Sequence, residues 1–440
     1  MNAKSFDPNF DLNDAGQAMY RLIAELFPIC RSITGDGFRA SLNIVQREIP
    51  VELFEVPTGT PVFDWTVPRE WNIRDAYVKN SRGERVVDFQ KSNLCVVNYS
   101  APIHRTMSRA ELQAHLFSLP DHPTWIPYRT AYYKETWGFC VSDQTLQNLA
   151  DDEYAVCIDA TLAPGHLTYG EFFLRGQSDD EIFISTHCCH PSLCNDNLSG
   201  IALATLLAKH LRQFATRYSY RFVFIPGTIG SITWLARNED RVAKIKHGLV
   251  VACVGDPGKF HYKKSRRGDA AIDRAAQIVL RNARRDFVIE EFSPYGYDER
   301  QYCSPGFNLA VGSLTRTPHG RYPEYHTSAD NLDFVQPHAL AESLAMYLQV
   351  LNVLEQNRKF FNTNPKCEPQ LGRRGLYGQF GGRKDQSAYE LAMLWVLNFS
   401  DGAHSLLDIA EKSGIAFALI ADAARALVEH NLLREDSTER

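Results

Sequence analysis

The stretch Ile182-Phe183-Ile184-Ser185-Thr186-His187-Cys188-Cys189-His190-Pro191-Ser192-Leu193-Cys194-Asn195-Asp196-Asn197-Leu198-Ser199-Gly200 decides the fold. It passes from a β-rich apolar run into a turn crowded with His, Cys and Asp, then into residues 201–211, whose apolar spacing is helical. Open α/β sheets place ligands at such strand, turn and helix junctions, because side chains beyond the carboxyl ends of parallel strands converge on a crevice. His187 and Asp196 offer N and O donors that suit Zn²⁺.

Far downstream, Arg321-Tyr322-Pro323-Glu324-Tyr325-His326-Thr327-Ser328-Ala329-Asp330-Asn331 supplies a third donor, His326, in another polar loop before another helical segment. Between the two lies Asp298-Glu299-Arg300-Gln301-Tyr302-Cys303-Ser304-Pro305-Gly306. Cys188, Cys189 and Cys194 open a competing reading, a structural zinc site shared with His187 or His190. Their spacings match none of the paired-knuckle patterns of such sites.

Together these segments resemble the co-catalytic zinc aminopeptidase superfamily, which includes bacterial leucyl aminopeptidases and glutaminyl cyclases. In that superfamily a His follows a strand, an Asp opens an Asp-[Asn/Asp]-x-Ser-Gly sequence and bridges two metals, and a late His sits in Tyr-His-Thr-x-x-Asp. The resemblance maps these onto His187, Asp196 and His326, expected ~2.0–2.2 Å from a shared Zn²⁺. The 298–306 segment is similar to the family's Asp-His-x-x-Phe-x-x-x-Gly sequence, whose Asp lies beside the metals. His190 is close enough to His187 to ligate or to hold the turn, and the superfamily pattern favours the supporting role. Asp256, in Cys253-Val254-Gly255-Asp256, is the remaining candidate carboxylate ligand.

The more particular match is to a bacterial aminopeptidase-like subgroup with an inserted β domain and a C-terminal winged helix. The resemblance implies one or two Zn²⁺ ions and a small peptide or amide substrate, cleaved near a free amine.

One departure bears on activity. Where the family ends a strand with a general-base glutamate and a ligand glutamate, this chain reads Phe224-Ile225-Pro226-Gly227-Thr228-Ile229-Gly230-Ser231, with Gly227 at the expected acid. Asp196 is the sole Asp or Glu between Glu181 and Glu239. A positioned base typically contributes about 10²- to 10⁴-fold. The base role therefore falls to Asp298, Glu299 or Glu324, or else the chain is a pseudo-peptidase that binds a ligand without hydrolysing it. A glutamate at position 227 is expected to fit, unless Gly227 is required for positive φ.

The rest of the chain frames this site. At 440 residues, 44% hydrophobic and 22% charged, it can bury several cores. A net charge of -5 does not point to nucleic acid. Residues 1–8 lack a signal-peptide core, no run is long enough to span a bilayer, and ten Cys without a Cys-x-x-Cys pair read as reduced thiols. The expected address is cytoplasmic.

Alternating strands and helices from 181 to 357 predict a mixed, largely parallel sheet flanked by helices. Residues 1–63 and 170–360 are assigned to this catalytic domain, 64–169 to an inserted mainly-β domain, 361–385 to a connector and 386–440 to a winged helix. That last segment has four Lys/Arg against nine Asp/Glu, which favours protein contact or self-association over DNA.

Overall fold

The computed structural model describes residues 11–283, 285–376 and 386–435. Residues 1–10, which include the 1–8 segment read above for an export signal, and 377–385 of the expected connector lie outside the described residues. Leu12–Leu26 (α1) begins at Asp11, whose carboxylate accepts the backbone N–H groups of Asn13 and Asp14. Its stripe of Met19, Leu22, Ile23 and Leu26 is buried. Asp36–Gln46 (α2) and Glu52–Pro57 (β1) follow.

The chain then forms four strands that pair among themselves: Glu70–Lys79 (β2), Arg85–Asp88 (β3), Ile103–Ser108 (β4) and Glu153–Ala163 (β5), in the antiparallel order β3-β2-β5-β4. The expected strand-like run 94–97 is instead a tight helical turn, Asn93–Cys95, followed by isolated bridges. Val97 N–H donates to Gly138 and Asn98 N–H to Arg129, so no single strand partners the run. The helix read across 108–118 is confined to Arg109–Gln113, with the predicted Ser108/Glu111 capping box present. On return, His166–Leu174 (β6) pairs antiparallel with β1, Pro57 opposite His166. The excursion thus leaves and re-enters at neighbouring points.

The alternation continues through Glu181–His187 (β7), Ser199–Leu211 (α3), Ser219–Ile225 (β8), Ile229–Arg237 (α4), Ile245–Val251 (β9), Phe260–Lys263 (β10), Ala271–Asn282 (α5), Phe287–Glu290 (β11), Val311–Thr315 (β12) and Pro337–Gln356 (α6). The eight-stranded sheet runs β1-β6-β8-β7-β9-β12-β10-β11, with β8, β7, β9 and β12 mutually parallel at its centre.

Period-two alternation splits β7 between two cores. Ile182 and Ile184 join a cluster with α1, α3 and α6, whereas Phe183 joins Trp234 and the apolar residues of the four-stranded sheet. The two sheets share no strand pairing but do share a hydrophobic cluster.

At the C-terminus the expected boundary at 361 is corrected. Lys359–Asn362 (β13) pairs with Asp401–Ser405 (β14) and Leu433–Glu435 (β15), so the small terminal sheet begins before the assigned connector. Against it lie Gln386–Phe399 (α7), Leu406–Ser413 (α8) and Phe417–Glu429 (α9). Arg274 of α5 ties this unit to the main sheet through Asp408 at 2.6 Å and Glu411 at 2.5 Å. No helix among the described residues is long and apolar enough to cross a membrane.

Candidate functional site

The parallel strands deliver their ends to one place. His187 closes β7, Gly227 stands two residues past β8, and Ala252 and Cys253 follow β9. Beyond β7 the chain turns through 188–198 into α3. This turn is fastened from behind by the buried Arg31 guanidinium, which donates to the carbonyls of Leu26 at 2.6 Å and His190 at 2.9 Å.

His187, His190 and Asp196 converge, all buried, with one candidate ligand atom from each within 4.8 Å of the others. His187 Nε2 lies 2.9 Å from Asp196 Oδ1, and His190 Nε2 and His326 Nε2 lie 3.5 and 3.0 Å from Asp196 Oδ2. Burial works to raise the Asp196 carboxyl. The imidazoles packed around it nevertheless hold it well below the usual carboxylate range. His190 Nδ1 lies 2.8 Å from its neighbour's carbonyl, Cys189 O; donation there leaves Nε2 as a free lone pair. Burial pushes His190 down to about 3, which keeps the ring neutral.

Two of these atoms test whether the cluster suits a cation. Asp196 Oδ2 and His326 Nε2 are both buried and, despite their 3.0 Å approach, neither has a hydrogen-bond partner. Two buried polar atoms facing each other with no hydrogen bond formed fit the surroundings of a metal ion. Asp330 aligns the set: its two carboxylate oxygens accept the backbone N–H groups of Asn195 at 2.6 Å and Asp196 at 3.0 Å. Burial pushes the Asp330 carboxyl up to about 8.

The sequence-derived candidates part company here. His187 and Asp196 come together with His190, read above as supporting the turn, whereas His326 approaches Asp196 Oδ2 but lies outside that compact set. Asp256 is corrected: its oxygens accept from Asn195 at 3.2 Å, Thr317 N–H at 3.1 Å, Gly258 N–H at 2.9 Å and Thr317 Oγ1 at 2.5 Å. That carboxylate is spent on holding loops. Asp298 is fully buried, accepts from Ser231 Oγ at 2.8 Å, and has its other oxygen unpartnered. Burial pushes it up to about 6. Glu299 forms the wall of a cavity of about 90 Å³ that also includes His187 and Asp196, and its carboxylate pairs with Lys263 Nζ. Glu324 is half-buried and absent from that wall.

The expectation that a glutamate would fit at position 227 is also corrected. Gly227 has no positive φ, so that alternative does not apply. A Cβ there would stand 2.3 Å from Cε1 of Tyr297 and 3.2 Å from Cβ of His187. The Tyr297 ring, stacked on His187 with centroids 3.8 Å apart, fills the space, and its hydroxyl lies 3.3 Å from His190 Nε2.

Sequence reasoning missed Tyr297 although it adjoins Asp298, because nothing in a lone Tyr distinguishes a site wall from a core ring. It also missed Tyr128, whose backbone N–H donates to the His326 carbonyl at 2.7 Å and whose ring meets His326 edge-on at 5.0 Å. Loop 126–128 thus steadies one ligand loop from outside the main sheet.

Comparison with known proteins bears on this geometry. A family model described as a domain of unknown function (DUF4910) matches residues 20–357. The chain belongs to that family. A winged helix-turn-helix model matches residues 358–435, in accord with the early start of the terminal sheet.

A Clostridium acetobutylicum protein, provisionally named a polysaccharide biosynthesis protein with an aminopeptidase-like domain, is 53% identical over 96% of this chain and 97% of its own length. A crystal structure of a provisionally assigned peptidase from Clostridium acetobutylicum is 51% identical, covers 97% of this chain and 98% of that one, and superposes with a TM-score of 0.92. A zinc aminopeptidase from Bacillus subtilis superposes at a TM-score of 0.56 with 11% identity, over 78% of this chain and 95% of that one. At that identity the likeness is one of fold: the main domain has the architecture of zinc aminopeptidases.

Proposed function

We propose that the chain is a zinc-dependent hydrolase of an amide or peptide bond next to an amine, with His187, His190 and Asp196 holding an ion and His326 standing on the Oδ2 side of Asp196. The observation that carries this reading is the compact buried set His187, His190 and Asp196, with Asp196 Oδ2 and His326 Nε2 left 3.0 Å apart and no hydrogen bond formed between them. A zinc ion in that shell would supply Lewis-acid polarisation of a carbonyl and acidification of water.

The chain's own groups account for the rest. Of the carboxylates at the cavity wall, Glu299 is the buried glutamate that would take a proton, and Lys263 and the Tyr297 backbone N–H, 3.1 Å away, hold it there. Tyr297 walls the metal side and, stacked on His187, keeps bulk water from the face of that ring.

A second reading, binding without hydrolysis, rests on one observation: Tyr297 occupies the room that a glutamate at position 227 would need. Both readings are tested by metal analysis of the purified protein and by assay of aminoacyl-arylamides, peptides and N-acyl amines with and without Zn²⁺. Turnover abolished by Glu299→Gln with zinc retained supports the hydrolase. Full zinc loading with no turnover on any amide supports the binder.

A further inference from the structure

The cavity that opens onto the cluster is lined by two ion pairs. Lys263 Nζ meets Glu299, with the two side chains only 13% and 2% exposed, and Lys263 also donates to the Tyr295 carbonyl at 3.0 Å. Arg321 meets Glu290 through both guanidinium nitrogens, the second at 2.9 Å. Gly296 makes the inner pair possible, since a Cβ there would fall 1.9 Å from Glu299 Oε1 and 2.3 Å from Lys263 Nζ. Tyr295 stands at the rim with its ring largely exposed.

Such a lining selects by chemistry. An aliphatic side chain entering it would strip water from two carboxylates and two cations and return no hydrogen bonds. A singly charged side chain would compete with a cation or carboxylate already paired, and at the inner pair would leave the former partner buried alone. A ring bearing several hydroxyls suits both pairs at once, because each hydroxyl donates one hydrogen bond and accepts two. Donation to Glu299 or Glu290 and acceptance from Lys263 or Arg321 leave the pairs intact, and the exposed Tyr295 ring can cover an apolar C–H face.

We infer that this cavity takes the neutral, polyhydroxylated ring of a sugar carrying the reacting amine or amide, in place of an amino-acid side chain. The inference rests on the reading of the cluster as a site for amides near amines, and binding rather than turnover tests it. Calorimetric titration of the zinc-loaded full chain uses D-glucosamine and N-acetyl-D-glucosamine against L-leucinamide and L-lysinamide. At least one sugar is expected to bind about tenfold more tightly than either amino-acid amide. Arg321→Gln and Glu290→Gln, near the mouth, are each expected to weaken that sugar about tenfold, the scale of one charge-assisted hydrogen bond, without changing melting temperature or zinc content.

Amino-acid amides binding as tightly as the sugars, sugar affinity indifferent to both variants, or no sugar binding at millimolar concentration overturns the inference. Sugar binding without hydrolysis of any amide leaves it standing and removes the hydrolase reading. Aminoacyl-amide hydrolysis without sugar binding does the reverse.

Discussion

Tyr297 and Gly227 form a complementary pair: the edge of the tyrosine ring lies where a side chain at position 227 would begin, 2.3 Å from an ideal Cβ. The ring is also stacked on His187, so it cannot yield without disturbing a proposed ligand. The missing glutamate is therefore replaced by a different filling of the same volume.

Gly227→Glu alone is expected to destabilise the protein by about 1–3 kcal/mol, the usual cost of overpacking, and to lower zinc occupancy. Combined with Tyr297→Ala it is expected to regain zinc, because the space is then free for the new carboxylate. Melting temperatures and bound zinc of both variants check this. A single variant as stable as the parent would show that the ring does not hold that space.

Metal content should follow the donor set. The purified chain is expected to carry close to one zinc, with Asp196→Asn and His326→Ala each losing most of it. Chelation should lower the melting temperature of the parent but not of Asp196→Asn, because an ion at 100 times its Kd stabilises by about 2.7 kcal/mol. Equal zinc content in Asp196→Asn and parent would place the metal elsewhere.

Asp298 gives a pH signature in the metal-free protein. Its folded carboxyl is raised by burial from 3.8 to about 6, so between those values the folded state keeps a proton that the unfolded state has released. This contribution to stability is whole below pH ~4, falls as pH rises to ~6, and stays lost above. The melting temperature of Asp298→Asn relative to the parent should therefore climb between pH 4 and 7, by a free energy on the order of 3 kcal/mol. A difference independent of pH would show that the carboxyl is not so shifted.

The winged helix should leave duplex DNA alone. Helix α9 has Arg425 as its one cation, paired with Asp422 at 3.0 Å, and the acidic groups of α8 are engaged with Arg274. No salt-sensitive mobility shift is expected at about 150 mM salt, where non-specific binders show Kd values of roughly 10⁻⁴–10⁻⁶ M. A shift abolished by Arg425→Ala would reverse this.

Local pattern carried much of this protein. The apolar run of 182–187 and the helical spacing after Ser199 follow from period and residue type, which chain neighbours alone determine, while the order of His187, Asp196 and His326 was legible through the family resemblance. The Ser108/Glu111 capping box was legible for the same reason: both partners lie within one turn. Strand 359–362 was not, because its partners are 401–405 and 433–435, far along the chain.

What only the tertiary structure decided is which side chains meet across separate loops. Asp256 and Glu299 are both carboxylates near a strand end or turn, yet one is consumed by Thr317 and Gly258 while the other faces the cavity with Lys263. Tyr297 fills the place at Gly227, and the loop at Tyr128 holds His326, through contacts spanning 70 and 198 positions of the numbering. Sequence determined the candidate donors and the strands and turns around them, since those are local properties of the chain. Their surroundings were set by packing between distant segments, where volume and hydrogen-bond satisfaction decide and neither has a period to read.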